Sequence, residues 1–344
     1  MRRSSAAAAA LVMLICCVAA RAAEPSIVVD ATGQGGAFKT VQAAVDSVPD
    51  GNAEPRVIVI KPGTYKERVT VPKGKRFITF KGDDADAKKT VLTYNLYASM
   101  TKPGTTQPIG TSGTASVNID PDDFTAENVT LENTAGEVGQ ALALKTTGDR
   151  LVFRNCRLLG WQDTLCADAG RQLYQDCYIE GRVDFIFGGA TCVFDHCTIH
   201  SKNGGYVTAA RTPPEQKFGY VFLDCILVGD DPPVPTYLGR PWQWDRGRRA
   251  AVAFIRCKMG PHIRPEGWNP WDRPNNKNAH PEETTRYSEF GSTDLSGKPL
   301  DVSKRVPWAH PLTEAEAAQY TMENLLKGDD QWQPAATTQK AAER

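Results

Sequence analysis

Phe153-Arg-Asn-Cys156-Arg-Leu158 is followed by Tyr174-Gln-Asp-Cys177-Tyr-Ile179, Phe194-Asp-His-Cys197-Thr-Ile199, Phe222-Leu-Asp-Cys225-Ile-Leu227 and Phe254-Ile-Arg-Cys257-Lys-Met259. Cysteine and aliphatic residue alternate at period two among polar residues, so the pattern reads as one short strand written five times. The aromatic stands at an odd offset from the cysteine, which leaves the one-face alternation incomplete. Steps of 21, 20, 28 and 32 residues separate the five cysteines. Repeats of that length mark a solenoid: the two shorter steps suit one coil, the two longer ones a coil carrying an inserted loop. Glu127-Asn-Val129-Thr-Leu131, 27 residues before Cys156, is a weaker sixth copy with valine in the cysteine position. That apolar substitute supports an inward-facing ladder, and successive copies are expected to stack as parallel strands.

The ladder cysteines are read first as small buried hydrophobes. A disulfide between neighbouring coils is the alternative, because stacked strands lie about 4.8 Å apart and a disulfide spans Cα separations of about 4.4–6.8 Å. A solenoid also needs covered ends. Phe38, Val41, Ala44, Val45 and Val48 share one helical face near the start, and Thr313-Glu-Ala-Glu316 reads as a capping box opening a helix through about Leu326. The Pro, Asn and Gly content between Trp268 and His310 predicts long surface loops.

Around this repeat the chain has 344 residues. Arg2 and Arg3 precede an apolar, alanine-rich run from Ala6 to Ala20, the layout of a secretory leader covering residues 1–23 and too short for a membrane span. One domain is expected over 24–332, with 333–344 a disordered tail. Forty basic residues balance forty acidic ones, which gives no electrostatic reason to expect nucleic acid. Nine cysteines less Cys16 and Cys17 of the leader leave seven, an odd number with at least one unpaired thiol or an intermolecular bond. No CxxC pair or histidine cluster accompanies them, so neither a metal nor a cofactor is expected. Asn128-Val129-Thr130 is an N-glycosylation sequon.

The repeat turns the search for reactive groups into geometry, since equal offsets in consecutive coils lie side by side. Asp163 is seven residues after Cys156 and Asp184 seven after Cys177, so the two carboxylates are predicted on one face of adjacent coils. Gln140 and Gln162, 22 apart, should stack likewise. Two carboxylates held this close cannot easily both ionise, which divides them into an acid and an anion. Amide donors beside them could hold an oxyanion, and Leu238-Gly-Arg240-Pro-Trp242 offers a cation beside an aromatic. No histidine lies in these segments and no GxSxG elbow occurs, which argues against a serine hydrolase. A single buried Asp in a solenoid usually caps a turn. Two Asp, two Gln and an Arg on one face are harder to explain without a task, because burying them is costly.

These segments resemble the pectin methylesterase (pectinesterase) family: Gly63-Thr-Tyr65-Lys-Glu67, Gln140-Ala-Leu-Ala-Leu144, Gly160-Trp-Gln162-Asp163-Thr-Leu165, Gly181-Arg-Val-Asp184-Phe-Ile-Phe187-Gly188 and Leu238-Gly-Arg240-Pro-Trp242. The likeness runs from about Ile27 to Trp332. It implies a right-handed parallel β-helix with short capping helices, and a metal-free hydrolysis of the methyl esters of polygalacturonate. Asp184 matches the nucleophile, and Asp163 the general acid that later serves as base. Gln140 and Gln162 match the oxyanion-stabilising glutamines, and Arg240 the arginine that orients the nucleophile and binds substrate. Trp242 and Phe187 match sugar-contacting aromatics, while Tyr65 and Glu67 are read as structural. The implied partner is methyl-esterified homogalacturonan, with a proteinaceous pectinesterase inhibitor as a second one, and the implied state a secreted monomer in the cell wall, off the membrane. Cys166 departs from the Tyr that many members carry, and Arg182 from a small residue or Thr. Cys166 is expected to flank the groove as its most accessible thiol, and Arg182 to add positive potential to the cleft. Polygalacturonases and lyases are the neighbouring rivals, and a catalytically silent pectin-binding relative is the other.

Overall fold

The computed structural model describes residues 26–242, 249–271 and 280–334. The leader and all but the first two residues of the tail lie outside them. Eleven strands, from Ile27–Val29 to His310–Pro311, form one sheet in which every neighbouring pair is parallel. A second, branched sheet supplies the other walls of the coil. Its strands Tyr178–Gly188 and Thr198–Ala210 are long enough to run through two walls. The result is a parallel β-helix, coiled right-handed as parallel crossovers are. Among the described residues no helix is long and apolar enough to cross a membrane.

The repeat sets the register. Phe153 pairs with Tyr174, Tyr174 with Phe194, Phe194 with Phe222 and Phe222 with Phe254, so the steps of 21, 20, 28 and 32 are single coils with and without insertions. One expectation changes: each copy is two strands, not one. Leu151–Arg154 ends, Asn155 turns the chain, and Arg157–Leu159 begins in the other sheet. The residue before each ladder cysteine is left-handed: Asn155 (φ 47°), Asp176 (φ 54°), His196 (φ 53°), Asp224 (φ 52°) and Arg256 (φ 54°). That one residue resets the alternation, so Phe153 and Cys156 both point inward despite an offset of three. Asn, Asp and His tolerate this conformation better than most residues. Asn155 adds a hydrogen bond from its Nδ2 to Oδ1 of Asn128, the left-handed corner of the preceding coil, at 2.8 Å.

Stacking the copies stacks their rings. Centroids of Phe153–Tyr174, Tyr174–Phe194, Phe194–Phe222 and Phe222–Phe254 are 4.8, 4.9, 4.5 and 4.4 Å apart with interplanar angles of 16° or less, close to the strand spacing that imposes them. Phe194 lies mid-stack and fully buried. Phe194→Ala should therefore destabilise the fold by about 3–5 kcal/mol, read from denaturant unfolding, because the rungs above and below cannot collapse into the gap. The cysteines form a second column beside the rings. All seven described cysteines are buried and free, and the ladder thiols bond to carbonyls, as Cys177 does to Phe153 O at 3.5 Å. Small hydrophobe is the reading that holds, and no coil-to-coil disulfide forms.

Both ends are covered. Helix Val41–Ser47 is capped by Thr40, and Glu67 accepts from the backbone N–H groups of Val41 and Gln42 at 2.8 and 3.0 Å. Tyr65 is buried and donates to Lys61 O at 2.9 Å, so both side chains of the Gly63–Glu67 segment are structural here. At the far end the capping box on Thr313 and Glu316 is formed, but its helix stops at Ala317, and Thr321 caps a separate helix, Met322–Leu326. The Trp268–His310 stretch is not all loop. Thr285–Phe290 is a sheet strand, and Trp268 and Tyr287 stack in the core at 4.1 Å. Their two rings extend the aromatic column, which propensity for turns in the flanking residues concealed. Arg171 holds the C-terminal segment to the solenoid wall through Asp330, Asp149 and the carbonyls of Leu326 and Lys327.

Candidate active site

Leu165 pairs with Ile186 and Cys166 with Phe187, which puts Asp163 and Asp184 at the same place on adjacent coils, as their common offset requires. Each occupies a corner where one strand hands over to the next wall, and each is left-handed, with φ 65° and 52°. Left-handed backbone is unfavourable for a residue with a side chain, and it collects where function over-determines geometry. The coil holds both: Asp163 N–H donates to Val183 O at 3.0 Å. Gln140 and Gln162 form a parallel bridge on the preceding rungs, with Ala141 N–H bonded to Gln162 O at 3.1 Å.

Arg240 comes from two coils further on. Its N–H bonds to Thr208 O at 3.0 Å, and glycine at 239 lets the backbone press on Thr208, whose hydroxyl a Cβ would meet. From there the guanidinium reaches back to Asp184 with a fork of two bonds, Nε to Oδ1 at 2.8 Å and Nη2 to Oδ2 at 2.7 Å. Exposure is 7 % for Asp163, 6 % for Asp184 and 4 % for Arg240. The fork suits an ionised Asp184. Burial, and then the charge of Asp184, push the Asp163 carboxyl well above the usual carboxylate range, with Arg240 opposing in part. Two like groups thus sit in unlike surroundings: Asp163 is raised, and Asp184 is forked onto a cation.

All five predicted polar residues line one groove of about 690 Å³. Phe187 and Trp242 line it too, edge to face at 5.4 Å. Cys166 is on its floor but only 6 % exposed, and burial pushes its thiol well up. It is more open than the ladder thiols, as its offset predicts, but it is still a buried side chain. Arg182 does not line the groove and is paired with Glu137. Four wall features were missed: Arg211, its partner Asp168, Trp271 and the loop of residues 109–112. Continuing the register from Phe187 to Ala209 would have flagged Arg211, two residues on. Trp271 carries no local signal, because it arrives from the far loop when Trp268 bridges to Gly239. Among the described residues, the one cluster of metal-ligand type is His280, Glu282 and Glu283, exposed and outside the groove.

Fold and site together define a class, hydrolytic β-helices that carry a carboxylate pair and an arginine on a corner above an open groove. Within it, the family is given by comparison. Residues 26–329 match the Pectinesterase family model, and the chain belongs to that family. Pectinesterase 31 of Arabidopsis thaliana is 43% identical over 299 residues, 85% of this chain and 89% of that protein. Pectinesterase QRT1 of the same plant is 39% identical over 315 residues, 89% and 78% of the two chains. Pectin methylesterase from carrot superposes with a TM-score of 0.78 at 33% identity, covering 89% of this chain and 94% of that one. A pectin methylesterase crystallised in complex with a hexasaccharide gives 0.76 at 30% identity, over 91% of this chain and 100% of the other.

Proposed function

We propose that the groove hydrolyses methyl esters of polygalacturonate, releasing methanol and leaving pectate, with Asp184 as nucleophile. The observation that carries this reading is the asymmetric carboxylate pair, Asp163 raised by burial and Asp184 forked onto Arg240. An Asp184 oxygen attacks the ester carbonyl, and the oxyanion is met by the side-chain amides of Gln140 and Gln162. Asp163 gives its proton to the departing methoxy oxygen as the carbonyl re-forms, producing methanol and an anhydride on Asp184. Asp163, now a carboxylate, takes a proton from water, whose hydroxide opens the anhydride and restores both side chains. Phe187 and Trp242 line the groove where sugar rings would lie, and the hexasaccharide in a related structure supports an extended chain as ligand.

The substrate is accordingly methyl-esterified homogalacturonan, met outside the cell by residues 24–332 acting as one unit, a monomer, after loss of the leader. Relatives that pair a pectinesterase with a pectinesterase inhibitor by name support an inhibitor protein as a second partner. Methanol release from highly methylated pectin by the mature chain tests the reading. New reducing ends or unsaturated ends in place of methanol would make it a glycosidase or a lyase. Binding of pectin without any product would make it a silent relative. Gln162→Ala should lower kcat by about 10²–10³-fold with a small change in KM, as loss of one oxyanion donor does. Gln140→Ala should do the same, and unchanged kcat in both variants would remove the glutamines from the site.

A further inference from the structure

The guanidinium of Arg240 is flat, and it packs against two aromatic rings. Its Cζ lies 3.8 Å from the ring centroid of Trp271 and 3.9 Å from that of Tyr206. Two rings at such distances limit how far the cation can tilt out of its plane. In that plane the two bonds to Asp184 set its direction. Arginine is suited to this, since its delocalised cation stacks on aromatic faces while its edge donates.

The two rings differ in what else they do. Trp271 lines the groove, whereas Tyr206 does not. Tyr206 lies on the strand Thr198–Ala210, pairs in register with Tyr237, and stacks with it at 5.5 Å and 9°. Arg264 covers Tyr237 in turn, with its Cζ 4.8 Å from that centroid. A rigid column therefore stands behind the cation, built from solenoid strands and not from the groove wall.

We propose that Tyr206 is a positioning residue for the reaction: its ring fixes the plane of Arg240, and through Arg240 the attack angle of Asp184. This rests on Asp184 being the nucleophile. Without the ring, the guanidinium can tilt, one bond of the fork lengthens, and the carboxylate is no longer held toward the ester. Misplacement on this scale lowers the rate of the chemical step more than it lowers binding.

The test compares Tyr206→Phe, which keeps the ring, with Tyr206→Leu, which keeps apolar bulk without a π face. Methanol release from highly methylated pectin gives kcat and KM, and thermal unfolding reports the fold. The phenylalanine variant is expected within about twofold of wild type. For the leucine variant kcat should fall about 10–100-fold with KM within about threefold and the unfolding midpoint nearly unchanged. Tyr206→Met gives the same comparison with an unbranched side chain should the leucine variant fail to fold. Wild-type kcat in the ring-less variants overturns the proposal. So does an equal fall in the phenylalanine variant, which would assign the effect to the hydroxyl. Because Asp184→Asn tests the nucleophile separately, an inactive Asp184→Asn beside a fully active Tyr206→Leu rejects the positioning role alone. An active Asp184→Asn rejects the reading beneath it.

Discussion

Asp184→Asn is expected to lower methanol release by about ten-thousand-fold or more, about 5 kcal/mol of barrier, while the solenoid stays folded. The amide keeps the shape of the carboxylate and one acceptor for Arg240, but its oxygen is too weak a nucleophile to attack an ester. The charge balance changes as well. Arg240 is 4 % exposed and would lose its counter-ion, so the unfolding midpoint should fall, by an amount bounded by the 3–5 kcal/mol that breaking a buried pair costs. Far-UV circular dichroism at the assay temperature separates the two effects. Activity within about tenfold of wild type in a folded variant would rule out Asp184 as the covalent catalyst.

Asp163→Asn is the second large effect, a loss of about 10²–10⁴-fold as expected for a general acid and base. Its pH dependence is more telling than its size. Asp163 must carry a proton for methanol to leave, and its carboxyl is raised by burial first, then by Asp184, against Arg240. The kcat/KM profile of the wild type should therefore fall on the alkaline side as Asp163 ionises, and this limb should vanish in the variant. Stability provides an independent reading. The folded chain holds the Asp163 proton to higher pH than the unfolded chain does. Its contribution to stability is thus complete below the ordinary carboxylate range and is lost as pH rises toward the folded-state value. Asparagine is neutral throughout, so the midpoint of the variant relative to wild type should climb over the same interval. A difference that stays flat from acid to neutral pH would mean that Asp163 is not raised.

Much of this site could be read from spacing. Asp163 and Asp184 share an offset from Cys156 and Cys177, and one coil of 21 residues brings them together as counted. Gln140 and Gln162 follow by the same argument. Arg240 was visible as a cation beside Trp242, but its fork onto Asp184 spans 56 residues and no repeat offset leads to it. The odd offset between Phe153 and Cys156 looked like imperfect alternation. It is a corner, and its signal lay in the Asn, Asp and His that precede four of the five cysteines. Cys166 was placed correctly on the groove, but its exposure depends on Phe187, Ala209 and Trp242 packing over the same patch, which its own segment does not encode.

The chain's own residues determine the coil, because a repeat has only local demands: a ring, a corner and a small apolar side chain recur at each turn, and stacking neighbours satisfies them. They also determine which carboxylates face each other, since register carries any offset from one coil to the next. What they leave open is the part that depends on distance between coils and on depth. Five ladder thiols in a column could have paired or stayed free, and the stacking geometry leaves them bonded to carbonyls. Two identical carboxyl groups, both buried, became unequal because only Asp184 receives the fork of Arg240. Trp271 and Tyr206 close on that arginine from separate coils. Burial and long-range pairing are properties of the assembled solenoid, and they set the surroundings of each carboxyl group, which spacing along the chain leaves alike.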